Sequence, residues 1–226
     1  MLKKAGRSLK NPKFLQKYAM DIKLNVLTKE GRTLFNRFKA VSFLNKYYLA
    51  GGTGLALQLG HRISMDFDFF THKNFTSNHL TTQLQKISKP KNIVQEENTL
   101  HCNLLGVKLS FLFENSLLLE KVPVSRYFYI ASLKDIACFK LGAVASRGTK
   151  KDFVDLYYIM KEGLSLAEIF NLMDKKYKDK DLNKQHFLKS LVYFEDAEND
   201  PEPNMLVSDY SWEKTKEFFV KQVRDY

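Results

Sequence analysis

A chain of 226 residues that is 44% hydrophobic, with 18 Phe and 11 Tyr, holds enough apolar material for a packed core of one or two domains, which excludes a disordered chain. No apolar run approaches the roughly 20 residues that cross a bilayer, and the Lys-rich start lacks the apolar segment of a signal peptide, so a cytoplasmic protein without membrane partners is expected. The formal charge of +11 is concentrated in residues 1–46, where twelve Lys and Arg stand against Asp21 and Glu30. Such a surface either attracts a polyanion through counterion release or is a solvated helix face.

Taken in chain order, Asn11 and Pro12 read as an N-cap and first-turn proline, with Phe14, Tyr18, Ile22 and Val26 continuing a helical stripe. A second helix is expected near 33–41. A strand at 47–50, a helix at 53–59 and a strand at 66–70 then form one compact unit. A helix near 77–87 crosses over to strands near 92–96, 100–105 and 107–113, the last two turning at Gly106. Ser132-x-x-Asp135 and Ser165-x-x-Glu168 have the form of capping boxes, and the chain is mainly helical from there. Further helices are expected at 184–193 and 211–224, separated by an acidic, proline-broken loop at 195–203. Cys102 and Cys138 match no metal-binding spacing and read as reduced core thiols.

The unit at 48–70 carries the chemistry. Gly51 and Gly52 end an apolar strand and let the backbone approach a ligand, and the N–H groups opening the helix at Thr53 favour phosphate. Asp66 and Asp68 are two apart on a strand and therefore share a face, where both carboxylates can grip one or two Mg²⁺ ions while Phe67, Phe69 and Phe70 serve the core. Arg62 and Ser64 add polar groups at the same mouth. Each part alone has a plain structural reading, a turn or a solvated strand face. Their order and spacing together resemble the first motif of the polymerase-β-like nucleotidyltransferases. The wording Leu49-Ala50-Gly51-Gly52-Thr53-x-Leu55-Ala56-Leu57-Gln58-Leu59-Gly60-His61-Arg62-x-Ser64-x-Asp66-x-Asp68-Phe69-Phe70 resembles more specifically the AbiEii/AbiGii family of bacterial nucleotidyltransferase toxins.

A second block, from Ser132 to Ile159, is similar to that family's Lys-Asp-x-x-Asp-Leu-Tyr motif at Lys151, Asp152 and Asp155, with Lys140 and Arg147 upstream. Lys151 and Asp155 are four apart, so a surface ion pair is the plain alternative. The resemblance implies instead that Lys151 contacts the triphosphate and that Asp152 or Asp155 lies in the active site. Lys140 is either a second phosphate contact or a helix-capping charge.

One departure stands out. Enzymes of this superfamily generally carry a third carboxylate on a later strand, where it serves as general base. Here the strand at 107–113 has Ser110 at that place. Glu114 shares its face but lies four residues on, about 13 Å at strand rise, and reads as a strand-end charge. Either Asp155 supplies the missing acid from the helical part, or the chemistry relies on two acids and the lysine. The segment Glu195-Asp196-Ala197-Glu198 resembles one recurring in relatives, and loop capping is its simpler account.

The expected fold is α+β: a small mixed β-sheet core with basic N-terminal helices at 1–130 and a helical region at 131–226 closing the cleft. The expected activity is Mg²⁺-dependent transfer of a nucleoside monophosphate from an NTP to an acceptor, with catalytic Asp66, Asp68, Lys151 and Asp155 and a nucleotide held by Gly51, Gly52, Thr53, Arg62, Ser64 and Lys151. The family implies a growth-inhibiting toxin with a cognate antitoxin, and tRNA ends as the acceptor in some relatives. Two rival readings are a nucleotide-binding module without transfer, favoured by the absent third acid, and a nucleic-acid-binding regulator resting on the basic N-terminus alone.

Overall fold

The structure, a computed structural model, describes residues 21–226. The helix expected at Asn11 and Pro12 lies outside them, and the end of its stripe forms a 3₁₀ turn at Leu24–Val26. Helix α1 (Lys29–Phe38) starts earlier than expected because Thr28 caps it, its hydroxyl accepting the Gly31 N–H at 3.1 Å. The polar Lys-Glu-Gly-Arg start hides that boundary in a pattern reading.

Strand β1 (Tyr48–Ala50) runs directly into α2 (Gly51–Leu59), and β2 (Phe67–Thr71) returns antiparallel beside β1. Helix α3 (Ser77–Gln85) leads to β3 (Lys91–Glu96), β4 (Thr99–Leu104) and β5 (Val107–Phe113). Leu105 and Gly106 both have positive φ, 52° and 80°, as a two-residue hairpin between right-twisted strands requires. Two further strands, β6 (Lys121–Pro123) and β7 (Tyr129–Ala131), complete a seven-stranded mixed sheet in the order β3-β4-β5-β2-β1-β7-β6. At three residues each, and with Pro123 in one of them, β6 and β7 are too short to show alternation in the sequence.

The helical half follows as α4 (Leu133–Ser146), α5 (Lys150–Lys161), α6 (Leu166–Lys176), α7 (Lys184–Leu191), α8 (Glu195–Glu198) and α9 (Trp212–Arg224). The short α8 occupies part of the expected loop. Ser165 and Glu168 form a complete capping box. Ser132 caps α4 through the Asp135 N–H, but its own N–H goes to the Glu120 carbonyl, and the Asp135 carboxylate accepts from the Ser132 hydroxyl, from the Leu119 and Glu120 N–H groups and from the buried Lys176 ammonium at 2.8 Å.

The alternation of β1 and β2 divides the core. Leu49, Phe67 and Phe69 face one side with Phe38 and Phe111; the Phe38 and Phe69 rings meet edge-on at 5.3 Å and Phe69 stacks on Phe111 at 4.9 Å. Burying each such ring contributes on the order of 1.5–3 kcal/mol. Tyr48 and Ala50 face the other side and pack with Ile136, Leu141, Phe153 and Trp212 of the helical half. Both cysteines are buried and free, and burial pushes the thiol of Cys102 up to about 11 and that of Cys138 to about 12. Among the described residues no helix is long and apolar enough to cross a membrane.

Candidate active site

The junction of β1 and α2 is built around two glycines whose hydrogens leave room for specific side chains. Gly51 has φ +62°, and a Cβ there would lie 2.7 Å from Asp68 Oδ2. A Cβ on Gly52 would lie 2.3 Å from Arg62 Nη2. The glycines are therefore needed where the acidic strand and the Arg62 guanidinium pass close to the backbone. Helix α2 begins without a side-chain cap, so the N–H groups of its first turn face the cleft with no side chain closing them.

Register places the carboxylates. Asp68 pairs with Ala50 on one side and with Ser110 on the parallel strand β5 on the other. Asp66 is exposed just ahead of β2, and its backbone carbonyl accepts from the buried Thr53 hydroxyl, which also meets Ser64 Oγ at 2.7 Å. Thr53 and Ser64 thus spend their hydroxyls on tying the α2 start to the acidic strand. Burial raises the Asp68 pKa; the Ser110 hydroxyl works against that rise, and the Asp66 charge adds to it. Two carboxylates at such a place repel unless a cation joins them. Ser110, the residue at the place where a third acid was expected, pairs with Asp68. Glu114 is occupied elsewhere, Oε1 accepting the Ser116 N–H at 2.7 Å, and does not line the cleft.

Opposite the strand, α4 and α5 form the cleft floor through a buried ionic network. Asp155 is fully buried and accepts from Arg62 Nε and Nη2, both at 2.7 Å, from His61 Nε2 at 2.8 Å, and pairs with Lys140 Nζ at 2.6 Å. Although burial works against its charge, Lys140, Arg62 and His61 hold its pKa well below the carboxylate range. Asp155, expected as a carboxylate of the cleft, therefore lies beneath the floor with both oxygens engaged. Arg62, expected on phosphate, also lines the cleft, but besides Asp155 it donates from Nη1 to the Ile63 carbonyl at 3.0 Å. Lys140 is mid-helix, so it caps nothing; it bridges Asp155 and Asp152, the latter at 2.9 Å. Asp152 also accepts from Arg147 Nε at 2.7 Å and Thr149 Oγ1 at 2.7 Å. Burial opposes its ionisation too, but these partners bring it down to about 2.

Lys151 is exposed, lines the cleft and makes no ion pair among the described residues, so the plain alternative of a surface pair with Asp155 is absent. The cleft measures about 460 Å³ and brings Gly52, Thr53, Asp66, Asp68, Arg147 and Lys151 to one surface. Its far wall is Asp200 and Pro201, held by the Asp200 carboxylate on the Lys150 N–H at 2.8 Å and by Ile63 N–H on the Asn204 carbonyl at 2.8 Å. Glu198 does not line the cleft and accepts from the Trp212 and Lys216 side chains, so it ties α8 to α9 rather than capping a loop. Sequence reasoning gave no role to His61, Arg147, Thr149 or Asp200. His61 and Arg147 stood within or beside the quoted motifs, whereas Asp200 is brought to the cleft only by folding.

A family profile described as "Nucleotidyl transferase AbiEii toxin, Type IV TA system" matches residues 32–104 and 107–225. The uncharacterized protein aq_aa25 of Aquifex aeolicus (strain VF5) is 41% identical over 205 residues, 88% of this chain and 97% of that protein. Among solved structures, the chain resembles JHP933 from Helicobacter pylori, with a TM-score of 0.50 and 20% identity over 88% of this chain and 92% of that one. It also resembles MenT4, a nucleotidyltransferase toxin from Mycobacterium tuberculosis H37Rv, with a TM-score of 0.52 and 15% identity over 87% of this chain and 85% of that one. At these identities the two structures report a shared fold.

Proposed function

Because the chain belongs to the AbiEii family of nucleotidyltransferase toxins, we propose that this enzyme moves a nucleoside monophosphate from an NTP to an RNA acceptor in the cleft between β2 and α5. The observation that carries the proposal is the Gly51 turn, which sets Asp68 and the uncapped start of α2 on one wall, with Lys151 free on the other. The N–H groups of α2 and the Lys151 ammonium suit the triphosphate, as fixed dipoles and a point charge respectively. Arg147, 63% exposed at its side chain and anchored by Asp152, adds a second cation at the rim.

The donor set fits a hard divalent cation: two carboxylates, one at the start of β2 and one within it, both lining the cleft. Asp66 and Asp68 would hold Mg²⁺, which when bound neutralises phosphate oxygens and the charge that develops during in-line attack at the α-phosphorus. Asp155 and Lys140 fix the floor and leave the reacting groups to others. The basic stretch before residue 46 supports a polyanionic acceptor. The family's description as a toxin of a type IV system supports an antitoxin made alongside.

The test is incubation with each α-labelled NTP, Mg²⁺ and either total RNA or a protein fraction. Asp66→Asn and Asp68→Asn should each abolish labelling of RNA while the fold persists. Equal Mg²⁺–nucleotide affinity in wild type and the double variant, by calorimetry, would move the site elsewhere. Nucleotide binding without any labelled product would favour a binding module, the reading that Ser110 in place of an acid supports.

A further inference from the structure

At the other end of β1 and β2 the surface opens into a second cavity of about 540 Å³. Ala50 pairs with Asp68 at the cleft end, and Tyr48 pairs with Phe70 toward this end. Thr71, which lines the cavity, is three residues along β2 from Asp68, about 10 Å at strand rise, and its side chain points to the opposite face. The two sites are separated by the sheet itself.

The cavity walls combine aromatic, basic and acidic side chains with a helix start. Phe43, Tyr47 and Phe75 supply aromatic surface. Tyr47 is only 5% exposed and is clamped edge-on by Phe75 at 5.8 Å and Phe111 at 5.2 Å. Burial pushes its hydroxyl up to about 12, so the group remains a protonated donor. Lys46, Lys73 and His79 ring the opening, all exposed, and among the described residues neither lysine has a carboxylate partner. Helix α3 begins at the same wall, and its N-cap Thr76 makes no side-chain cap. Glu97 is the acid in the lining.

We propose that this cavity is a second nucleotide-binding site, taking a phosphorylated nucleoside unit with its base against Phe43, Tyr47 and Phe75 and its phosphate on Lys46 and Lys73. A bare phosphate would leave three rings unused, and an apolar ligand would leave two lysines and an open helix start without purpose. The Glu97 carboxylate suits the ribose hydroxyls, which are donors. The volume lies within the roughly 300–1,000 Å³ of small-molecule sites. Base–aromatic stacking tolerates any base, so the site selects for a nucleotide rather than for a sequence. The same unit comes either as a free nucleotide or as one nucleotide of an RNA chain.

Photocrosslinking of the full chain separates these sources and leaves transfer activity out of the readout. The probes are 4-thiouridine monophosphate and a short oligoribonucleotide containing 4-thiouridine, with adducts mapped to peptides by mass spectrometry. Adducts are expected in the segments 43–47 and 74–83. They should persist in Asp66→Asn/Asp68→Asn and fall about tenfold or more in Lys46→Glu/Lys73→Glu, because both ammonium groups that attract the phosphate are replaced by carboxylates that repel it. Both lysines are exposed, and circular dichroism verifies that the double variant folds. Adducts with the monophosphate assign a free nucleotide, and adducts with the oligonucleotide alone assign RNA. Adducts confined to peptides of the catalytic cleft, or undiminished by the charge reversal, overturn the proposal. Failure of the transfer reaction leaves this result legible, because an adduct at 74–83 does not depend on the cleft.

Discussion

Asp155→Asn distinguishes a carboxylate that acts on substrate from one that holds the floor of the cleft. The substitution keeps the side-chain shape and removes the charge that Arg62, Lys140 and His61 share. Lys140 retains Asp152 at 2.9 Å, but Arg62, 4% exposed, loses the carboxylate that accepts two of its donors. Removing one partner of a buried ion pair costs about 3–5 kcal/mol, because the other charge stays buried without compensation. For a domain of this size each kcal/mol moves Tm by about 2–4 °C, so a fall of about 6–20 °C is expected. Urea unfolding followed by circular dichroism measures the free energy, and NTP affinity is measured well below the transition. A variant as stable as wild type, binding NTP normally and yet devoid of transfer, would refute the positioning role and return Asp155 to the chemistry.

Three further outcomes follow from the same geometry. Acid should unfold the protein through its floor network: the folded pKa of Asp152 is depressed to about 2 and that of Asp155 lies well below its ordinary value. The unfolded chain then binds more protons than the folded one, so this stability is complete above about pH 4 and disappears as pH falls toward 2, with on the order of 2 kcal/mol from Asp152; urea midpoints that stay flat over that window would contradict it. Gly51→Ala places a methyl 2.7 Å from Asp68 Oδ2 at a φ of +62°. A stability loss of about 1–2 kcal/mol from the left-handed backbone is expected, with a larger loss of transfer as Asp68 is displaced. Lys151→Ala should leave stability within about 0.5 kcal/mol, because the side chain is exposed. It should weaken triphosphate binding about tenfold while nucleoside binding is unchanged, and equal losses in a titration with GTP and guanosine would assign Lys151 to structure.

Local rules in the sequence determined much of this protein. The strand–Gly-Gly–helix–DxD order is short-range, and a spacing of two is enough to bring Asp66, just ahead of β2, and Asp68, within it, to the same cleft. The hairpin at Gly106 and the capping box at Ser165 are likewise written within a few residues. The place of Ser110 was legible for the same reason, since the run of β5 could be counted in advance and the register sets Ser110 beside Asp68. The roles of the charged residues in the floor were not legible. Lys151 and Asp155 are neighbours by helical spacing, yet α5 turns one toward solvent and buries the other under α4 and the Gly60–Arg62 turn. Only packing of α5 against α2 and α4 decides that Asp155 meets Arg62 and His61, that Asp152 meets Arg147, and that Lys140 bridges the two. Asp200 reaches the cleft by the same route, carried there by backbone bonds between segments more than a hundred residues apart. Spacing along the chain states which residues can share a face; burial and charge pairing, which arise only when distant faces meet, decide which of them stay free to react.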